Sequence, residues 1–326
     1  MINRKGVKRR QFLVGLVSVL ILHGCSRTQP VSPQVSIDVR PKVVSTSTIL
    51  TNLTSEIAGD AIQLTGILKP GADPHVYEPI PTDSKALEEA DLILYNGYDL
   101  EPGIIRLMNA AGAETRKLAV GEVVSPIEMQ KQGQKVPDPH VWGDVRNVIT
   151  MVLVIRDALI ELSPININRD RFTQNATRFR QHLEQLDIWI REQIKTIPPP
   201  NRKLVTTHDA FHYYARAYGL TLAGSLIGIS TEEQPSAQTV QQLTDSIRVA
   251  GVPAIFAETT INPALIKTVA QEAGVKLAPR QLYSDSLGAP GSGADTYVKM
   301  MVVNTTTIAQ ALGGKVKPFK PKITSE

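Results

Sequence analysis

The chain has 326 residues, of which 42% are hydrophobic and 20% charged, with a single cysteine. That composition is globular and excludes a disulfide scaffold, a collagen-like repeat and an intrinsically disordered chain. The net charge of +4 is uneven: without Arg4, Lys5, Lys8, Arg9 and Arg10, 30 of the 35 bases remain against 31 acids, a net −1, so no basic face points to nucleic acid.

In chain order, residues 1–24 read as an export signal: a basic stretch, MINRKGVKRR, followed by an apolar run, Phe12 to Leu22, too short to span a bilayer comfortably. The run ends in LHGC, which resembles a bacterial lipobox. On that reading Cys25 is acylated and holds the mature chain at a membrane surface; the alternative is an uncleaved anchor with Cys25 idle. RRQFL also resembles a twin-arginine signal. Residues 25–41 are proline-rich and aperiodic, a lipid anchor and tether.

From Lys42 onward, strand-like runs alternate with helical patterns. KVVSTST, IQLTGIL and DLILYN predict strands; ILTNLTSEIAGD, TDSKALEEA and PGIIRLMNAAG predict helices between and after them. VRNVITMVLVIRDALIELS predicts a long, largely buried helix. Residues 166–197 then carry Phe172, Phe179, Leu183, Leu186, Ile190 and Ile194 close to the helical period, with no internal Gly or Pro. A helix of that length fits a spine between lobes better than a part of one. The alternation restarts with KLVTTHDA, LTLAGSLIG, VPAIFAE and VKLAP as strands. FHYYARAYG, closed by Gly219, SAQTVQQLTDSIRVAG, with Ser236 as its N-cap, NPALIKTVAQEAG and DTYVKMMVVNTTTIAQALGG are the helices. The expected fold is α/β: an N-terminal lobe (42–165), a spine helix (166–197) and a C-terminal lobe (198–326), each lobe a mostly parallel sheet flanked by helices. Ligands of such sheets sit beyond the carboxyl ends of the strands.

Asp-Pro-His occurs twice, in GADPHVYEP and PDPHVWGD, and both times it puts a histidine, His75 or His140, in a stiff turn. Proline fixes its own φ and restricts the residue before it. The preceding Asp73 or Asp138 is placed to bond local N–H groups or to orient an imidazole. His208 stands where a second-lobe strand gives way to a helix, and Asp285 in the Gly-rich loop SDSLGAPGSG. Three imidazoles and a carboxylate make a four-donor set for a borderline divalent metal. His212, four residues past His208, is the alternative donor through a helical i, i+4 pair. His23 and His182 read as non-ligands. Glu258, in FAETT, is either a partner of His208 or a structural acid; Tyr77 and Glu78 shape the first loop, and Trp142 packs the interface.

The motifs KVVSTSTIL, GADPHVYEP, ADLILYNGYDLE, DPHVW, the spine, TTHDAFHYYARAYGL, IFAETTINP and YSDSLG resemble, in that order, the metal-binding solute receptors of bacterial ABC importers for zinc, manganese or iron. The resemblance covers nearly the whole mature chain. It implies two lobes joined by a rigid helix, with one divalent ion at their interface held by His75, His140, His208 and Asp285. It also implies a non-enzymatic, monomeric lipoprotein of the periplasm or cell envelope that delivers metal to an ABC permease. Zinc-specific members often have a His-rich loop in the first lobe, and SPIEMQKQGQKVPDPH is short and has no histidine before His140. Many manganese members have Glu where this chain has His208. The donor set favours zinc by softness, and a bidentate Asp285 suits manganese. A surface adhesin with a structural metal, and a metallohydrolase with Glu258 as base, are the other readings.

Overall fold

A computed structural model describes residues 40–111, 115–131, 133–163 and 166–321; the export signal, Cys25 and nearly all of the tether lie outside them. The first lobe runs β1 (Lys42–Ser45), α1 (Thr48–Ala58), β2 (Gln63–Gly66), α2 (Pro81–Glu88), β3 (Leu92–Tyr95), α3 (Pro102–Ala111) and β4 (Arg116–Ala119). Its four strands are all parallel, in the order β2-β1-β3-β4. The central strands are apolar on both faces because helices cover both: Val43, Val44, Leu92, Ile93 and Leu94 are all buried. Ser47 starts α1 by accepting the Leu50 N–H on its hydroxyl.

An antiparallel hairpin follows, β5 (Glu128–Lys131) and β6 (Gln134–Pro137), and then α4 (Val145–Leu162) and α5 (Asn166–Lys195). The 30 residues of α5 span about 45 Å at ~1.5 Å per residue. Its stripe of Phe172, Ala176, Phe179, Leu183, Leu186, Ile190 and Ile194 is buried, and it packs into one apolar cluster with Leu53 and Ile57 of the first lobe and Tyr214 and Met301 of the second. The lobes therefore share a core through α5. The chain's last described stretch returns along this helix: Trp189 Nε1 donates to the Lys317 carbonyl, and the Lys317 N–H to Gln193 Oε1.

The second lobe comprises β7 (Lys203–His208), α6 (His212–Tyr218), β8 (Thr221–Ile227), α7 (Ala237–Ala250), β9 (Ala254–Ile255), α8 (Ala264–Ala273), β10 (Lys276–Leu277) and α9 (Tyr297–Ala311). β7 pairs with β8 and β9 with β10, all parallel. The Phe256 N–H, 3.0 Å from the Val205 carbonyl, ties the two pairs together. Gly219 ends α6 in the left-handed region at φ 80°, and Ser236 caps α7 as its sequence predicts.

Two features depart from the sequence reading. β4 and the 128–137 hairpin were not expected: RKLA is a short, charged edge strand, and the hairpin is polar on both sides of its turn, so neither carries an apolar signature. Conversely, VPAIFAE reads as a strand, yet β9 covers only Ala254 and Ile255; VKLAP, expected to be short, forms the two-residue β10.

Candidate metal centre

The carboxyl ends of both sheets open onto one cleft, and all four predicted donors converge there. His75 lies in the loop after β2, and His140 between β6 and α4. His208 is the last residue of β7, and Asp285 lies in the loop after β10. One ligand atom from each lies within 4.8 Å of the others, and all four residues are buried. Nε2 of His75 is 3.2 Å from Nε2 of His140. Asp285 stands between His140 Nε2, at 3.4 Å from Oδ1, and His208 Nε2, at 3.2 Å from Oδ2. Donors around a tetrahedral zinc stand about 3.3 Å apart, as these three neighbouring separations do, within an overall spread of 4.8 Å. His208 Nε2 and Asp285 Oδ1 are buried without hydrogen-bond partners, a costly state for polar atoms unless a cation takes up their lone pairs.

The twin Asp-Pro turns do related but unequal work. Asp73 Oδ1 accepts the His75 backbone N–H at 2.9 Å, closing the turn. Asp138 Oδ1 makes the same backbone bond to His140 at 2.9 Å, and in addition lies 2.8 Å from the ring Nδ1. That contact places the imidazole proton on Nδ1 and turns Nε2 toward the cluster. Glu258 stands at His208 in a related way: Oε1 accepts the backbone N–H at 2.8 Å, and Oε2 lies 2.6 Å from Nδ1 as a charge contact and not as a hydrogen bond. Of its two readings, the geometry favours the partner of His208.

His212 does not join the four. Its Nδ1 faces Asp138 Oδ2 at 3.7 Å, behind His140. His182 lies on α5, stacked on Phe319 with ring centroids 5.7 Å apart. Trp142 does bridge the interface: its Nε1 donates to the Ser284 carbonyl at 2.9 Å, and its ring meets that of His140 edge-on. Tyr77 donates to Asp83 Oδ2, fixing the first loop onto α2. Tyr213 was not singled out by sequence, where it reads as core; its hydroxyl donates to the Asp138 carbonyl and accepts the Ile127 N–H. Of the four donors only His75 lines a cavity of ≈ 390 Å³, beside Tyr98, Arg106 and Glu232.

The electrostatics of the cluster's own side chains divide the imidazoles. Burial dominates at His75 and pushes it down to about 3, so its ring is neutral. At His140 burial is outweighed by the hydrogen bond and charge of Asp138 and by the nearby Asp285 carboxylate, and the ring is raised to about 9. His208 is held well above its usual range, burial being overcome by Glu258 and Asp285. Asp285 is held well below the carboxylate range despite its burial, chiefly by His208 and then His140. At pH 7 the empty site thus carries protons on His140 and His208, and a metal ion must displace them. Affinity is expected to fall as pH drops below about 9, roughly tenfold per unit for each proton displaced. Calorimetry in buffers of different ionisation enthalpy measures the release; binding without proton release at pH 7 contradicts this charge assignment.

The family "Zinc-uptake complex component A periplasmic" matches residues 43–311. The manganese-binding lipoprotein MntA of Halalkalibacterium halodurans is 35% identical over 272 residues, 83% of this chain and 88% of that protein. The manganese ABC transporter substrate-binding lipoprotein PsaA of Streptococcus anginosus is 33% identical over 309 residues, 92% of this chain and 97% of that one. Among solved structures, the periplasmic zinc-binding protein TroA from Treponema pallidum superposes with a TM-score of 0.79 at 33% identity, covering 84% of this chain and 99% of its own.

Proposed function

The chain belongs to the zinc-uptake complex component A family, and on that premise we propose that it captures one zinc or manganese ion outside the cytoplasm and delivers it to the permease of an ABC importer. The observation that carries this reading is the closed set of buried donors His75, His140, His208 and Asp285. These four are the ligands, two from each lobe. Asp138 and Glu258 hold the rings of His140 and His208, and Asp73 holds the His75 loop. The ion is cargo: it enters, is held by four side chains and is released without bond chemistry. A hydrolase needs an open coordination position and a free base. Here the protein offers four donors, enough to fill a tetrahedral shell, and Glu258 is engaged on His208, which favours a carrier over the hydrolase reading.

Both proposed cargoes suit the donors. Three imidazole nitrogens favour zinc, as does the general order of divalent affinities, and an Asp285 carboxylate able to present both oxygens suits manganese. An N-terminal lipid on Cys25 keeps the receptor at the membrane, with the stretch through residue 41 as tether, and the receptor acts as a monomer. The test is competition between zinc and manganese for the purified protein, with metal analysis of protein taken from its own host. One ion per chain that is removed by chelator and displaced by the competing metal is expected. Substoichiometric, non-exchanging metal points to a structural ion, as in an adhesin.

A further inference from the structure

The first lobe contains a buried carboxylate that the metal centre does not use. Glu101 immediately precedes α3 and is 1% exposed. Its backbone carbonyl accepts the Ile105 N–H, as the start of a helix requires, but its side chain turns back into the lobe. There Oε1 accepts both the Thr46 hydroxyl and the Asn96 backbone N–H, each at 2.7 Å, while Oε2 has no partner. Thr46 follows β1 and Asn96 follows β3. In a sheet ordered β2-β1-β3-β4, the gap between β1 and β3 is where the connections part in opposite directions, the usual ligand crevice of such sheets. In this chain a carboxylate of the protein itself fills it.

The turn that brings Glu101 there is unusual. Gly97, Tyr98 and Asp99 all have positive φ, at 84°, 52° and 57°. Two successive non-glycine residues in the left-handed region persist only when their surroundings hold them. Glu101 on the Asn96 N–H, and Glu122 Oε1 on the Tyr98 N–H at 3.1 Å, are such holds. The outcome is the placement of the Asn96 side chain, itself 1% exposed. Its Nδ2 donates to the Gly97 carbonyl at 3.1 Å and to the Pro139 carbonyl at 2.9 Å. Pro139 is the residue before His140. Gly121 packs so tightly on the far side that a Cβ there would meet the Asn96 carbonyl oxygen at 2.6 Å.

We propose that Glu101 is a positioning residue of the metal centre: through the Asn96 backbone it sets the β3–α3 turn, and the Asn96 carboxamide then fixes the Pro139 carbonyl and, with it, the approach of His140 to the ion. Asp138 orients the His140 ring, and the Glu101–Asn96 pair anchors the backbone from which that ring projects. Position rather than charge is the active property. Burial pushes the Glu101 carboxyl up to about 7 against its hydrogen bonds from Thr46 and Asn96, and both bonds fall on one oxygen that a carboxamide also supplies.

This inference rests on the metal-capture reading, and zinc and cobalt(II) are the probes. Asn96→Ala and Glu101→Ala are expected to weaken zinc binding about 10–100-fold, the usual cost of losing a residue that orients a ligand. Their double variant should bind no worse than the weaker single one, because both act through one carbonyl. Glu101→Gln keeps the shared acceptor and is expected to bind within about threefold of the parent chain. The absorption bands of bound cobalt should shift alike in both alanine variants, which a loss of stability alone does not produce. Should Glu101→Ala fail to fold, Asn96→Ala and Glu101→Gln decide between them. Parent-like zinc affinity and cobalt bands in Asn96→Ala, or a Glu101→Gln defect as large as that of Asn96→Ala, overturns the proposal. An unsubstituted chain that binds neither ion overturns the capture reading, and this inference with it.

Discussion

Asp285→Asn is expected to weaken zinc binding by more than about 100-fold while leaving the fold intact, a larger loss than that of a residue that only orients a ligand. Asp285 is the only anionic donor of the four, and its two oxygens face His140 and His208 separately, at 3.4 and 3.2 Å. A carboxamide of the same shape gives the ion a weaker, neutral oxygen and turns an N–H₂ group toward one of the imidazoles. It also removes the counter-charge that helps hold protons on His140 and His208 in the empty site. Those rings can then shed their protons instead of standing charged and unpaired, so the empty variant escapes most of the penalty of a broken buried pair. Chelator competition measures the affinity and circular dichroism the fold. Zinc affinity within about fivefold of the parent chain would remove Asp285 from the ligand set.

The second large effect is thermal. A ligand that binds only the folded state stabilises it by about 4.1 kcal/mol at a free concentration 1,000 times Kd. At roughly 2–4 °C per kcal/mol for a domain of this size, zinc or manganese at that level should raise Tm by roughly 8–16 °C, and a chelator should reverse the rise. The four proposed ligands come from segments as distant in sequence as His75 and Asp285, so no unfolded chain presents the set. Scanning fluorimetry with zinc, manganese and magnesium checks the effect. Stoichiometric zinc binding with no rise in Tm would place the ion on a site that survives unfolding, such as a local surface pair.

Much of this molecule was legible before its structure. The doubled Asp-Pro-His turn marked His75 and His140 because proline and aspartate act locally, within three residues, and local chemistry is readable in one dimension. The spine was legible from its uninterrupted apolar period, and Ser236 and Gly219 from the stereochemistry of helix ends. The hairpin at 128–137 and strand β4 were not, because a polar edge strand is defined by its hydrogen-bonding neighbour and not by its own residues. The preference for His208 over His212 has its physical reason in where β7 ends: one points into the cluster, the other stands behind Asp138.

By itself, then, the amino-acid order determined the α/β alternation, the spine and the short list of side chains able to hold a metal, since these depend on backbone stereochemistry and on periodicities of two or 3.6 residues. Only the tertiary structure decided that four of those side chains meet within one coordination sphere, that Glu258 stands behind His208 as Asp138 stands behind His140, and that Glu101 reaches the His140 loop through Asn96. Each of those facts is a distance between segments that are far apart in the chain. Such distances are set by the shared packing of both lobes on α5 and by the hydrogen bonds that buried polar groups must make across it.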